Sequence, residues 1–175
     1  MSTISVIGAG YVGLTTSACL AHLGHEVICV DIDQEKIRQL QQGKIPIHEA
    51  GLLELVQTGI SNRCLQFVVG AEDAVASSEF VFLCLPTPQE EDGRADVDAV
   101  LSVVNQIRDV VSPGTIIVNK STVPVGTNTT LATAIRRDDV FVVSNPEFLR
   151  EGAAVTDFLQ PDRIVIGADD SEAGD

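Results

Sequence analysis

Short apolar runs alternate with longer stretches of helical periodicity along the whole chain. Residues 4–7, 26–30, 64–69, 80–85, 115–119, 140–144 and 163–166 are rich in Val, Ile and Phe, and each reads as a strand. Residues 11–23, 34–42, 72–76, 97–111 and 127–137 read as helices, with Gly24, Gly43 and Ser112-Pro113-Gly114 as stop signals. Runs such as Val81-Phe82-Leu83-Cys84-Leu85 and Thr115-Ile116-Ile117-Val118 do not alternate with polar residues. Such strands are buried on both faces, as in a parallel sheet covered by helices. The repeated β-α-β order therefore predicts a doubly wound, mostly parallel α/β fold. No internal repeat, low-complexity tract or linker interrupts it, so residues 1–175 read as one domain and the polar tail 168–175 as its edge.

Composition adds limits. The 175 residues suit one ordinary domain or at most two small ones. Hydrophobic residues make up 45% against 21% charged, which supplies a core and excludes wholesale disorder. Lys and Arg number 11 against 25 Asp and Glu, a formal net charge of −14. That balance disfavours nucleic acid, whose binders carry a basic stripe, and also anionic membrane surfaces. No run approaches the ~18 apolar residues of a membrane helix. The N-terminus carries no signal-peptide pattern, so a cytoplasmic, reducing setting is expected. Cys19, Cys29, Cys64 and Cys84 lie too far apart for a C-x-x-C motif, and no metal site is expected.

The first strand runs into Gly8-Ala9-Gly10-Tyr11-Val12-Gly13, a G-x-G-x-x-G turn. Gly8 permits the tight turn, Gly10 lets backbone approach a pyrophosphate, and Gly13 lets the helix pack closely on the strand. The helix N-terminus offers unpaired N–H groups and partial positive charge to an anion, which the overall acidity would otherwise repel. Asp31 closes the second strand 18 residues beyond Gly13, near the ~20 expected of an acid that binds the adenosine ribose. A carboxylate there accepts from both ribose hydroxyls and repels a 2′-phosphate, which selects NAD over NADP. Lys36 is placed to reach the ribose or a phosphate. The predicted fold is thus of the Rossmann type.

Three further strand ends carry unusual residues. Leu85-Pro86-Thr87-Pro88 and Lys120-Ser121-Thr122-Val123-Pro124 follow the fourth and fifth strands, so Thr87, Ser121 and Thr122 would line the cofactor crevice. Beyond the sixth strand comes Asn145-Pro146-Glu147-Phe148-Leu149-Arg150-Glu151-Gly152, and then Pro161-Asp162-Arg163-Ile164-Val165-Ile166-Gly167. Two carboxylates and an Arg past a strand end suit either a reaction centre or substrate clamp, or a helix N-terminus decorated with Glu, and spacing does not choose between them.

Taken together, these strings resemble the UDP-glucose 6-dehydrogenase family, in order and over essentially the whole chain. The resemblance implies oxidation of the C6 alcohol of UDP-glucose to a carboxylate with two NAD, through a cysteine-bound aldehyde and thioester. It implies that Gly10, Tyr11 and Val12 meet the pyrophosphate, that Asp31 and Lys36 hold the ribose, and that Thr87 and Thr122 border the nicotinamide half. It implies further that Glu147, Phe148, Leu149, Arg150 and Glu151 lie along the sugar, with Glu151 also touching the cofactor. Glu147 would act as the acid/base residue for the hydrolytic water, which Thr122 helps hold.

Several family features are missing. The long central helix, through which the family dimerises, and the second, UDP-binding domain have no counterpart here. Nor do the nucleophilic Cys and the Lys–Asn pair that stabilises the oxyanion. The chain is therefore expected to bind NAD without completing turnover. All four cysteines read as core or surface thiols, and Lys120 is not the family's catalytic Lys. Ala50 stands where the family usually has Pro. His22 and His25 lie away from the crevice and His48 in a loop after Pro46, and none is expected to be catalytic; Arg163 is expected either to serve an ionic role or to pair structurally with Asp162 or Glu151. GDP-mannose and UDP-N-acetylmannosamine dehydrogenases are near relatives, and a non-catalytic NAD-binding module is a further alternative.

Overall fold

The computed structural model describes residues 1–168, so most of the tail read as the domain's edge lies outside the described residues. Seven strands form one sheet: β1 (Thr3–Ile7), β2 (Glu26–Asp31), β3 (Leu65–Val69), β4 (Phe80–Leu83), β5 (Ile116–Asn119), β6 (Phe141–Ser144) and β7 (Gly167–Ala168). Their order is β3-β2-β1-β4-β5-β6-β7, with β1 to β6 parallel and β7 antiparallel to β6. The chain winds outward from β1 to β3 and then returns to the other side of β1. Adjacent strands β1 and β4 consequently send their connections to opposite faces, which opens a crevice beyond their carboxyl ends.

Among the described residues seven helices cover the sheet: α1 (Tyr11–His22), α2 (Gln34–Gln41), α3 (Leu52–Ser61), α4 (Glu72–Val75), α5 (Asp98–Ile107), α6 (Thr127–Ile135) and α7 (Ala154–Leu159). Successive strand residues feed opposite layers. Ile4 and Val6 pack with Leu14, Leu40 and Val56 on one face. Ile7, Val81 and Leu83 pack with Val104 and Leu131 on the other. Both layers are sealed, so these strands need no polar alternation.

The fold departs from the sequence reading in three places. Helix α3 lies where the sequence reading placed no element, although Leu52, Val56 and Gly59 recur at helical spacing and are buried. Helix α7 was likewise unassigned; it is one and a half turns long and buries only Ala154. The strand expected over 163–166 is not a strand. The Asn145 side-chain amide donates to the Val165 carbonyl at 3.0 Å, so a side chain takes the place of a ladder partner there. Pairing begins only at Gly167, where a Cβ would collide with the Ser144 hydroxyl.

The glycines of the first turn differ in what they permit. A Cβ on Gly13 would collide with the Gly8 carbonyl oxygen, whereas one on Gly10 would meet nothing within 4 Å, at an ordinary φ of −79°. Gly13→Ala is therefore expected to cost about 2 kcal/mol or more by urea unfolding, since overpacked backbone cannot relax. Gly10→Ala should stay within about 0.5 kcal/mol of the parent, as surface substitutions do. Equal losses in the two variants would contradict this assignment.

Candidate functional site

The site is built on the turn between β1 and α1. Gly8 has φ of +103°, and its amide donates to Val30 O at 2.7 Å. A Cβ at Gly8 would strike the Cys84 carbonyl, so only glycine lets the turn lie against the end of β4. Gly10 is the N-cap of α1 and no side chain caps the helix. The first N–H groups of the helix thus face the crevice without intrahelical partners, with the positive end of the dipole behind them.

Asp31 closes β2 at the crevice edge with its side chain only 10% exposed. Its Oδ2 accepts from the Ala9 amide at 2.9 Å and Lys36 Nζ at 2.8 Å, and its Oδ1 from the Asp33 amide at 3.0 Å. Burial opposes its charge, but the hydrogen bonds from Lys36, Asp33 and Ala9 outweigh burial and hold the carboxyl below its ordinary range. Lys36, expected to reach toward ribose or phosphate, is folded onto Asp31 instead.

A crevice of about 760 Å³ joins these residues to the ends of β4 and β5. Gly8, Gly10, Tyr11, Val12, Asp31 and Lys36 line one part, and Thr87, Ser121, Thr122 and Glu147 another. Gly13 lies beneath the turn, fully packed. Thr87 Oγ1 donates to Thr122 O at 2.7 Å. Ser121 Oγ accepts from the Leu85 amide at 2.9 Å and donates to Leu83 O at 3.2 Å, so it ties β5 to β4. Glu147 Oε2 accepts from the Leu149 amide at 2.6 Å, which fixes the carboxylate within its own loop.

The remaining residues singled out by sequence sit differently. Phe148 and Leu149 line a separate cavity of about 110 Å³. Arg150 is exposed and bound to Asp157, through Nη2 at 2.6 Å and Nε at 3.0 Å, and Glu151 is exposed outside both cavities. Arg163 does not pair with Asp162 or Glu151; its guanidinium lies over the Phe148 ring, 5.1 Å from the centroid. A carboxylate so close to bulk water offers an Arg little, whereas a half-exposed ring offers both contact and charge attraction.

Two residues acquire importance only in the fold. Lys120 is 6% exposed and reaches both cavities, with Nζ donating to Asn145 Oδ1 at 3.0 Å. Burial pulls its pKa down, while the neighbouring Cys84 and Glu147 act in the opposite direction. Glu49, in the loop before α3, is also 6% exposed and accepts from Tyr11 Oη, Gly152 N and Ala154 N. The string Glu49-Ala50-Gly51 carried no sign of that role. All four cysteines are free thiols, and burial pushes those of Cys19, Cys29 and Cys84 up to about 12. No helix among the described residues is long and apolar enough to cross a membrane.

The turn that only glycine fits, the uncapped helix and the strand-end carboxylate suit a dinucleotide. Comparison with known proteins agrees. Residues 2–175 match the family model described as "UDP-glucose/GDP-mannose dehydrogenase family, NAD binding domain". A UDP-glucose 6-dehydrogenase of Rhizobium meliloti is 48% identical over 174 residues, covering 97% of this chain and 40% of that protein. One of Pseudomonas aeruginosa is 43% identical, covering 98% and 40%. A UDP-glucose dehydrogenase structure from Pyrobaculum islandicum superposes with a TM-score of 0.92 at 38% identity, over 99% of this chain and 42% of that one. A GDP-mannose dehydrogenase structure from Pseudomonas aeruginosa gives 0.91 at 35% identity, over 98% and 42%. The chain thus spans about two fifths of these relatives' length. A matching family model over residues 2–175, on a fold that builds the same crevice, makes this chain a member of the UDP-glucose/GDP-mannose dehydrogenase family, corresponding to its NAD-binding domain.

Proposed function

We propose that this chain supplies the cofactor half of a nucleotide-sugar dehydrogenase, one that oxidises the C6 alcohol of UDP-glucose to the carboxylate of UDP-glucuronate. What supports the reading is one crevice that has the uncapped α1 N-terminus and Asp31 in one part and Thr87, Thr122 and Glu147 in another. Oxidising a primary alcohol to a carboxylate removes four electrons and adds one oxygen from water, so two NAD are consumed for each sugar. NAD, when bound, supplies the hydride acceptor.

The chain's own residues bind, orient and handle protons. The N–H groups of Gly10, Tyr11 and Val12 receive the pyrophosphate, in a turn that Gly8 and Gly13 keep compact. Asp31 accepts from the ribose hydroxyls. A carboxylate has about four lone-pair sites, and three donors already occupy Asp31. Seating both hydroxyls therefore turns Lys36 off Asp31 and toward the ribose. Thr87, Ser121 and Thr122 border the nicotinamide half. Glu147 activates or positions the hydrolytic water with help from Thr122, a role that typically contributes 10²–10⁴-fold, as an order of magnitude. Phe148, Leu149, Arg150 and Glu151 lie along the sugar, and Glu151 also touches the cofactor.

UDP-glucose is favoured over GDP-mannose because the relatives at 48% and 43% identity carry the UDP-glucose name. The nucleophilic thiol is not one of the buried cysteines, whose high pKa values keep them protonated at neutral pH. On this reading residues 1–175 bind NAD without turnover, the enzyme works as a homodimer, and it resides in the cytoplasm, in keeping with four free thiols.

Calorimetry on the 175-residue chain should show NAD binding, with NADP about ten-fold weaker or worse. Asp31→Ala should weaken NAD by about 10- to 100-fold, since hydrogen bonds to a charged group are lost. Unchanged affinity in that variant would remove Asp31 from the ribose site. The pH dependence follows from the same carboxylate. It must be ionised to accept two hydroxyls, and its pKa lies below the ordinary value. NAD affinity is thus expected to hold from about pH 8 to about pH 5 and to fall only below about pH 4. A decline centred near neutrality, measured by the same titrations, would assign the ribose contact to another group.

A further inference from the structure

We propose that Glu49 is a positioning residue that transmits occupancy of the phosphate turn to segment 150–154, using Tyr11 as the link. The inference rests on the reading that the turn takes NAD. Tyr11 belongs to the turn by its backbone, as the first residue of α1. Its side chain leaves the turn, with Oη donating to Glu49 Oε2 at 2.5 Å and lying 3.3 Å from the Arg150 carbonyl as a second acceptor. The same Oε2 accepts from the Gly152 amide at 2.8 Å, and Oε1 from the Ala154 amide at 3.0 Å. One carboxylate therefore holds together three parts of the chain: the phosphate turn, the loop before α3 and the start of α7.

No Lys or Arg forms an ion pair with Glu49 among the described residues, so its charge is stabilised by these hydrogen-bond donors. A buried carboxylate without such donors would take up a proton. Burial does oppose its ionisation, but the hydrogen bonds from Tyr11, Gly152, Ala154 and Ala50 prevail and keep the carboxyl below its ordinary range. Reciprocally, Tyr11 is pushed up to about 12, first by burial and then by the bond and charge of Glu49. The Tyr11 proton stays between the two oxygens across the working pH range. The link is charge-assisted, and such bonds are short and geometrically demanding.

A pyrophosphate on the α1 N–H groups fixes the Tyr11 backbone. It thereby narrows the positions of the Tyr11 ring, of Glu49, and of the Gly152 and Ala154 amides that Glu49 receives. Segment 150–154 is otherwise held chiefly at Asp157, which takes the Arg150 amide and guanidinium. Ordering by one ligand lowers what a second ligand must order, which is coupling without a change of shape. The cofactor thus prepares the stretch that the resemblance places along the sugar.

Amide hydrogen exchange on the 175-residue chain, with and without saturating NAD, tests the proposal. In the parent, NAD is expected to slow exchange at Gly152 and Ala154 by about ten-fold, as local opening becomes rarer. In Tyr11→Phe, which loses one hydroxyl and keeps the ring, NAD at saturation should slow those amides by less than about two-fold. Glu49→Gln provides a second variant: its amide offers one acceptor oxygen where the carboxylate offers two, so the same loss of response is expected. Protection that does not change with NAD in the parent overturns the coupling. An undiminished response in Tyr11→Phe overturns it too. Calorimetry on the same samples separates the two levels: no heat of binding overturns the cofactor reading and the coupling with it, whereas binding without protection overturns the coupling alone.

Discussion

At the carboxyl end of β1 the chain turns directly against the Cys84 carbonyl, and the helix that follows starts directly against the carbonyl of Gly8. Neither approach leaves room for a Cβ at Gly8 or Gly13. Close approach is what brings the first turn of α1 over the gap between β1 and β4, where the winding of the sheet reverses. If the turn stood an ångström or two further out, the helix N–H groups would face bulk water rather than the crevice. Asp31 would also lose the Ala9 amide that fixes its position. The packing of two glycines thus sets where the helix N–H groups stand and, through Ala9, the position of the Asp31 carboxylate.

The electrostatics follow from that placement. A chain of net charge −14 repels an anion at long range, and the field falls off over ~8 Å at physiological ionic strength. Inside the crevice, unpaired N–H groups and Lys36 dominate at contact distance. The acids nearby are each tied into hydrogen bonds. Asp31 is held by Lys36 and two amides, Glu147 by the Leu149 amide, and Glu49 by Tyr11 and the start of α7. Each of these carboxylates keeps its charge but is fixed in position by donors of its own.

How much of this is legible in the sequence depends on the range of the interaction. Strands β1 to β6 were readable because continuous apolar runs need no partner to identify them. The glycine turn and Asp31 were readable because their spacing is local. Helix α7 and β7 were not, since a six-residue helix has little periodicity and a two-residue strand exists only through its neighbour. Helix α3 carried a signal in Leu52, Val56 and Gly59 that the turn residues around Gly51 obscured. Glu49 had none, because the amides it receives lie 103 and 105 residues away. Arg163 shows the same limit from the other side: opposite charges close in sequence suggested an ion pair, and the fold supplied an aromatic face.

The central claim is that the β1–α1 turn and the end of β2 form one NAD site. Backbone amide NMR spectra of the chain, titrated with NAD, test it most directly. The largest shifts are predicted at Gly8, Gly10, Tyr11, Val12 and Gly13, with a second group at Asp31 and Lys36 and a third around Thr87 and Thr122. Shifts that leave the glycine turn unmoved while gathering elsewhere, for example along α5 and α6, would contradict it.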